Sequence, residues 1–126
     1  MEKKDPQEET ILVELGEYID MRNKVGNNKI PMACILPIHE QAKRREIIIN
    51  DLSKGVEEKR ELRDGFSFRY PGTDEWISKL SEFIMFERKC CPFLTFELLF
   101  VSNSGPVHLH IRGSKAAKEF IKKMGL

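Results

Sequence analysis

Hydrophobic residues recur along this chain at two spacings, and each spacing predicts a different kind of element. From Glu8 to about Arg22 they recur at the helical spacing, which predicts an amphipathic helix. Residues 25–31 are rich in glycine, asparagine and proline, as is typical of a linker. We therefore predict an N-terminal arm over residues 1–30 and a single domain over residues 31–126.

The first part of the domain is predicted to be a helix and a hairpin. The helix runs from Pro37 to about Leu52, since proline suits a first helical turn. Two strands follow, over Val56–Arg63 and Phe66–Tyr70. The Asp64-Gly65 dipeptide between them predicts a tight turn, because both residues tolerate a positive φ.

The second part of the domain is predicted to be a helix, a hairpin and a further helix. Thr73 is a suitable cap for a helix that runs to about Lys89. Strands are predicted over Phe93–Val101 and Val107–Arg112. Ser114 then caps the final helix, whose apolar stripe consists of Ala117, Phe120, Ile121 and Met124.

The order of the elements after the first helix is ββαββα, which predicts an α+β fold. Two hairpins that are each followed by a helix form a four-stranded, antiparallel-rich sheet with the helices packed on one face. This order is a circular permutation of the ferredoxin-like βαββαβ order, preceded here by one or two N-terminal helices. The helix-covered face of the second hairpin is predicted to carry Phe96, Leu98, Phe100, Val107, Leu109 and Ile111. The opposite face carries Glu97, Leu99, Val101, His108, His110 and Arg112, and N-terminal helices or the partner in a homodimer would cover it.

The charges of the chain nearly cancel, with 21 lysines and arginines against 20 aspartates and glutamates. A chain without a basic field is not expected to bind nucleic acid directly. No apolar run approaches the roughly 20 residues that a membrane-spanning helix needs, and the charged N-terminus lacks the apolar core of a secretion signal. We therefore expect a cytoplasmic protein with reduced thiols. The odd number of cysteines, 3, also argues against a disulfide framework.

The most informative stretch is Glu87-Arg88-Lys89-Cys90-Cys91-Pro92, which sets a carboxylate one helical turn before two thiols. In a helix, Glu87 falls on the same face as the apolar residues Trp76, Ile77, Leu80, Phe83 and Ile84. An ionised carboxylate on that face is costly unless it gains a partner or a proton. One interpretation gives it a cationic partner: Arg88, Lys89 or a residue such as Arg44 at the rim of the core. The other makes Glu87 a proton acceptor or an oxygen ligand beside the thiols.

The three cysteines fall at the ends of predicted helices. Cys90 and Cys91 stand at a helix C-terminus, whose dipole disfavours a thiolate. They are either small buried hydrophobes or ligands of a soft metal ion that removes their protons. Cys34 precedes the helix that begins at Pro37, and the positive end of that helix favours a thiolate. Cys34 would then form a redox pair with Cys90 or Cys91, or complete a three-thiolate metal site.

His108 and His110 share one face of a predicted strand. Two histidines at this spacing can hold a metal ion, with Glu97 on the neighbouring strand as a third ligand. The alternative is a solvated or interface surface that they share with Arg112.

Cys34, the hairpin around Asp64-Gly65 and the stretch from Glu87 to Leu98 resemble a small bacterial domain of unestablished activity. That domain occurs alone or fused to transcription regulators of the mercury-resistance type. Its pattern is a cysteine before the first helix and then Glu-x-x-Cys-Cys-x-Phe entering a strand. The resemblance extends from Cys34 to Phe120 and implies a thiol-dependent role near metal or small-molecule sensing. The matching positions are Cys34, Glu87, Cys90, Cys91, Phe93 and Phe96.

These observations leave three hypotheses for the function. The first is a cytoplasmic binding or sensing domain for a thiol-reactive small ligand or a soft metal ion such as zinc or mercury. In it Cys34, Cys90 and Cys91 bind the metal, while Glu87, His108 and His110 contribute to ligand binding. The second is a thiol-dependent enzyme with Cys34 as nucleophile and Glu87 as base. The third is a structural or dimerisation module whose cysteines belong to the core.

Overall fold

The computed structural model describes residues 39–126, which form a four-stranded sheet and three helices. The predicted N-terminal arm and Cys34 lie outside the described residues. The helices are α1 (His39–Ser53), α2 (Asp74–Cys90) and α3 (Lys115–Lys122), and the strands are β1 (Glu58–Leu62), β2 (Gly65–Tyr70), β3 (Thr95–Phe100) and β4 (Val107–Arg112). None of the helices within residues 39–126 is long and apolar enough to cross a membrane.

The sheet has the strand order β1-β2-β4-β3, and every neighbouring pair is antiparallel. This is the arrangement of a ferredoxin-like sheet whose chain begins at the second strand, so the predicted permuted topology is confirmed. The helix α2 connects β2 to β3, with β4 lying between those two strands. The helix α3 packs on β2 and β4, and α1 packs against α2.

The core lies between the sheet and the helices, as the alternation of the strands predicts. Along β4 the odd positions are buried and the even positions half-buried. The fully buried side chains of the sheet are Phe68, Tyr70, Val107, Leu109 and Ile111. Leu80 and Phe83 of α2 and Ala117 and Ile121 of α3 cover them.

Two predicted helix caps are confirmed. The Thr73 hydroxyl accepts a hydrogen bond from the backbone N–H of Trp76 at 3.3 Å. The Ser114 hydroxyl accepts one from the N–H of Ala117 at 3.1 Å. Each bond satisfies a donor that a helix leaves unpaired at its N-terminus. These caps fix the residues at which α2 and α3 begin. The start of α2 also helps to set the position of the residues at its C-terminal end.

The first hairpin forms where the sequence predicts it, but its turn lies one residue earlier than expected. Leu62 pairs with Gly65, so Arg63 and Asp64 are the turn residues. The non-glycine residues with positive φ in the described part of the chain are Asn103 and Ser104, in the second hairpin. Glycine is required at position 65 for a different reason, since a Cβ there would meet the backbone oxygen of Ile111 at 1.9 Å.

The second hairpin has the predicted register but exposes one residue that was expected to be covered. Phe96, Leu98 and Phe100 lie opposite Ile111, Leu109 and Val107, respectively. The side chain of Phe100 is nevertheless 55% exposed. Phe100 is the last residue of β3, which is an outer strand of the described sheet, so its end lies at the margin of the core.

Candidate metal centre

Glu87 is fully buried, as its place on the apolar stripe of α2 predicted. The residues of α2 that are buried with it are Leu80, Phe83 and Cys90, which recur at helical spacing. A carboxylate in such surroundings has lost its hydration and needs a partner within the protein. Glu87 is therefore the residue around which the site is built.

Arg45 of α1 supplies that partner. Its Nε donates to Oε2 of Glu87 at 2.6 Å, and its Nη2 donates to Oε1 at 3.3 Å. The Arg45 side chain is itself only 18% exposed, so the ion pair is poorly screened by water. Its guanidinium also lies over the ring of Phe120, with the central carbon 5.6 Å from the ring centroid. The three helices α1, α2 and α3 are thus joined at one cation.

The expectation that Glu87 gains a cationic partner is confirmed, but none of the residues named for that role, Arg44, Arg88 and Lys89, supplies it. Arg88 and Lys89 follow Glu87 on α2 and are exposed, because they point away from its apolar stripe. Arg44 forms a solvent-exposed pair with Glu82 at 3.6 Å. Adjacent residues of a helix differ in direction by about 100°, so Arg45 and not Arg44 faces the buried carboxylate.

Burial and Arg45 act on the Glu87 carboxyl in opposite directions. Burial raises the pKa of Glu87 above its ordinary value, and the hydrogen bonds and charge of Arg45 oppose that rise. The net direction is upward, because the loss of hydration is the larger effect. The carboxyl therefore depends on Arg45 to remain ionised inside the protein.

Cys90 lies beside this ion pair with its thiol buried. Its Sγ is 4.0 Å from Oε2 of Glu87 and 3.4 Å from the backbone oxygen of Phe86. Burial raises the pKa of Cys90 to about 11, and the charge of Glu87 adds to that rise. A thiolate is thus disfavoured at the end of α2, as expected, but the causes are burial and the charge of Glu87 and not the helix dipole that the sequence suggested. Cys90 is a protonated thiol at neutral pH and is not activated as a free nucleophile.

Cys91 ends α2 and is fully buried. Its backbone N–H donates to the carbonyl oxygen of Glu87 at 2.7 Å, which closes the last turn of the helix. Its sulfur takes part in a disulfide bond. We predicted reduced thiols, and the disulfide at Cys91 departs from that prediction.

The ligand atoms of Glu87, Cys90 and Cys91 all lie within 4.8 Å of one another, and the three residues are buried. Such a group of one carboxylate and two sulfur atoms could hold a metal ion, and sulfur favours a soft or borderline one. A disulfide sulfur is not a thiolate ligand, so the donor set is complete only when Cys91 is reduced. Within residues 39–126, this is the place where three potential ligands converge.

Arg45 also lines a cleft of about 670 Å³ beside α1. Lys43 and Glu46 contribute opposite charges to its walls, while Ile49 and Met124 contribute apolar surface. The same arginine therefore borders both the cleft and the buried carboxylate. Glu87, Cys90 and Cys91 are not among the residues that line the cleft in the described part of the chain.

The histidine face of the sheet has a different arrangement. Nδ1 of His110 lies 3.0 Å from Oε1 of Glu97, and Nε of Arg112 donates to the same oxygen at 2.9 Å. The rings of His108 and His110 have their centroids 6.4 Å apart, and burial lowers the pKa of His108. The Glu97 carboxylate thus contacts both His110 and Arg112. This arrangement favours the second interpretation of the histidines, a solvated or interface surface that they share with Arg112.

Sequence reasoning found Glu87, Cys90 and Cys91 but missed Arg45. The available signal was the cost of a buried carboxylate, which requires a cation somewhere in the fold. The sequence offers Lys43, Arg44 and Arg45 as adjacent candidates on α1, and only the packing of α1 against α2 selects among them.

The comparisons with known proteins add no identification to this geometry. The site combines a paired carboxylate, a protonated thiol and an oxidised cysteine at the end of one helix. Neither the family models, nor the curated proteins, nor the solved structures gave a match to the chain. The function of the site is therefore inferred from the chemistry of these three groups.

Proposed function

We propose that this protein is a thiol-based binding domain for a soft metal ion or a thiol-reactive small ligand. Cys90 and Cys91 are the proposed thiolate ligands, with Glu87 assisting as an oxygen donor. The observation that carries the proposal is the convergence of these three buried residues within 4.8 Å. The resemblance of the Glu87–Leu98 stretch to a small bacterial domain associated with mercury-type regulators supports the same proposal.

The charges of the site favour a divalent ion. Arg45 already compensates Glu87, so the site without a metal is neutral when both thiols are protonated. Two thiolates would cancel the two charges of a bound divalent ion, and the site would again be neutral. A buried site that is neutral in both states avoids the large cost of an uncompensated charge.

Because Cys91 is in a disulfide bond, the proposed metal-binding form is the reduced protein. The chain has 3 cysteines, and Cys90 is free, which leaves Cys34 as the proposed partner of Cys91. Reduction by a cellular dithiol would convert that bond into two thiols and leave the dithiol as its own disulfide. The reduced site then has the two proposed thiolate ligands, Cys90 and Cys91, with Glu87 beside them, and Cys34 is the proposed third sulfur ligand as a thiol that keeps its proton, so that the site stays neutral.

Native mass spectrometry of the reduced protein tests this proposal directly. The protein is titrated with zinc, arsenite and mercuric ions, alongside Cys90→Ser and Cys34→Ser variants. One retained ion per chain, lost in Cys90→Ser and weakened in Cys34→Ser, is the expected result. His110→Ala is the matched control, because its ring lies in the separate Glu97 network and should not affect retention. Binding that is indifferent to Cys90 would overturn the proposal.

A further inference from the structure

We propose that β3 is the surface at which two copies of this chain pair antiparallel, so that their sheets join into one continuous sheet about a two-fold axis at Leu99. The partner of this surface is therefore a second copy of the chain. The inference is independent of the proposed metal binding, because it concerns the outer edge of the sheet and not the Glu87–Cys90–Cys91 group.

The two outer strands of the described sheet, β1 and β3, differ in how their edges are protected. The first four residues of β1 are exposed and charged, and they are Glu58, Lys59, Arg60 and Glu61. Charged side chains on an edge, lysine above all, discourage another strand from pairing with it. In contrast, β3 contains a single charged residue, Glu97, and ends in apolar residues. The edge of β3 therefore lacks the protection that the edge of β1 has.

The apolar end of β3 is exposed on both faces of the sheet. The exposed fractions are 51% for Leu99, 55% for Phe100 and 40% for Val101. Phe100 belongs to the helix-covered face and Leu99 to the other face, because successive residues of a strand alternate. Val101 continues the pairing with β4, since its N–H donates to the carbonyl oxygen of Pro106 at 3.2 Å. The strand geometry thus extends through the exposed apolar residues, as pairing with a second strand requires.

A second copy of β3 fits this edge because its apolar residues meet apolar residues. In an antiparallel pair about a two-fold axis at Leu99, this residue lies opposite Leu99 of the second copy. Leu98 then lies opposite Phe100 of the second copy, on the helix-covered face of both sheets. Cross-strand apolar pairs of this kind stabilise a sheet. The pairing covers the exposed side chains of Leu99 and Phe100.

The charge of Glu97 does not oppose this pairing. Glu97 lies opposite Val101 of the second copy in the proposed register, so that the two Glu97 carboxylates do not face each other. Its Oε1 accepts a hydrogen bond from Nε of Arg112 at 2.9 Å and lies 3.0 Å from Nδ1 of His110. Both of these residues belong to β4, on the inner side of β3. The carboxylate is therefore compensated within its own chain.

Pairing of β3 with β1 of another copy fits these edges less well. It would set the charged side chains of residues 58–61 against the apolar end of β3. It would also leave one β1 and one β3 free at the two ends, so that further copies could add into a filament. Pairing of β3 with itself uses the same edge of both copies and closes at the dimer.

Opposite charges at position 99 test the proposed register. Leu99→Lys and Leu99→Glu, each made in the 126-residue chain, set two like charges opposite each other across the two-fold axis. Each substitution should weaken self-association by about tenfold or more. An equimolar mixture of the two variants should recover dimers with one chain of each, because the facing charges are then opposite. Sedimentation equilibrium measures the association, and native mass spectrometry identifies the mixed dimer by its mass.

Recovery in the mixture also shows that each variant is folded, which Leu99 favours by being 51% exposed. Lys59→Glu on β1 is the matched control and should leave the dimer unchanged. A wild-type monomer at every concentration measured, or an assembly that grows beyond the dimer, would overturn the inference. A mixture that stays monomeric would also overturn it, because position 99 would then not face its counterpart. Retention of metal ions by the reduced protein is a separate readout of the proposed function.

Discussion

Arg45 of α1 holds the carboxylate of Glu87 on α2 at 2.6 Å, although 42 residues separate the two in the chain. The same carboxylate oxygen lies 4.0 Å from the Cys90 sulfur. The ion pair therefore holds α1 and α2 together and also forms part of the surroundings of the Cys90 thiol. A change at Arg45 should affect both stability and thiol reactivity, whereas a change at a neighbouring surface arginine should affect neither.

Replacing Arg45 by methionine should lower the free energy of unfolding by about 3 kcal/mol at neutral pH, because a buried carboxylate loses its partner. Urea denaturation of the variant and the wild type measures this difference. Adding Glu87→Gln to the same variant should restore most of the loss, since no buried charge then remains.

The control for this prediction is Arg44→Met, which removes an exposed pair and should cost less than about 1 kcal/mol. The loss in Arg45→Met should also depend on pH. The pKa of Glu87 is already raised in the folded protein and rises further without Arg45. Protonation of Glu87 then favours the fold, so the deficit is full at neutral pH and narrows as the pH falls toward the ordinary value of 4.5. A deficit that widens on acidification would contradict this account.

Alkylation of Cys90 should become faster with rising pH over an unusually wide range. Its pKa is raised to about 11, so the thiolate fraction should grow about tenfold per pH unit without levelling off at the ordinary cysteine value of about 8.5. Peptide-resolved mass spectrometry after iodoacetamide treatment, with free cysteine as the reference, measures this rate. Glu87→Gln should move the profile to lower pH, because the Glu87 charge contributes to the shift. A plateau at the ordinary value would show that Cys90 is more hydrated than the structure indicates.

Metal retention should depend on the redox state of Cys91. We expect the oxidised protein to retain no mercuric ion at Cys90 and Cys91 together, since a disulfide sulfur cannot act as a thiolate ligand. Treatment with a dithiol should restore one ion per chain, as measured by native mass spectrometry. Peptide mapping of the oxidised protein should locate the disulfide between Cys34 and Cys91. Equal retention before and after reduction would argue against redox control of the site.

The outer edge of the sheet leads to a prediction about self-association. The exposed apolar residues at the end of β3 are Leu99, Phe100 and Val101, with exposed fractions of 51%, 55% and 40%. An outer strand has unpaired backbone groups that can pair with another copy. We therefore propose a homodimer through β3, and sedimentation should show that Leu99→Lys shifts it to monomer. Lys59→Glu on the other outer strand, β1, is the control and should leave the assembly unchanged.

The local features of the fold could be predicted from the sequence because they depend on neighbouring residues. The periods of apolar residues gave the element order, Thr73 and Ser114 gave two helix caps, and the alternation along β4 gave its buried face. The buried position of Glu87 followed from the same helical period. The turn of the first hairpin lies one residue earlier than predicted, and the close approach of Gly65 to the Ile111 backbone was not predictable from local sequence, because it is a contact between β2 and β4.

What only the tertiary structure decided is which distant groups meet. The sequence required a cation near Glu87 but did not distinguish Arg45 from Arg44, because their difference lies in how α1 packs on α2. It placed Cys90 and Cys91 next to each other. Only the tertiary structure shows that burial beside the ion pair keeps the Cys90 thiol protonated and that Cys91 is oxidised in a disulfide. Local sequence determines the direction of a side chain on its own element. The partner it finds depends on the relative placement of elements, which local sequence does not specify.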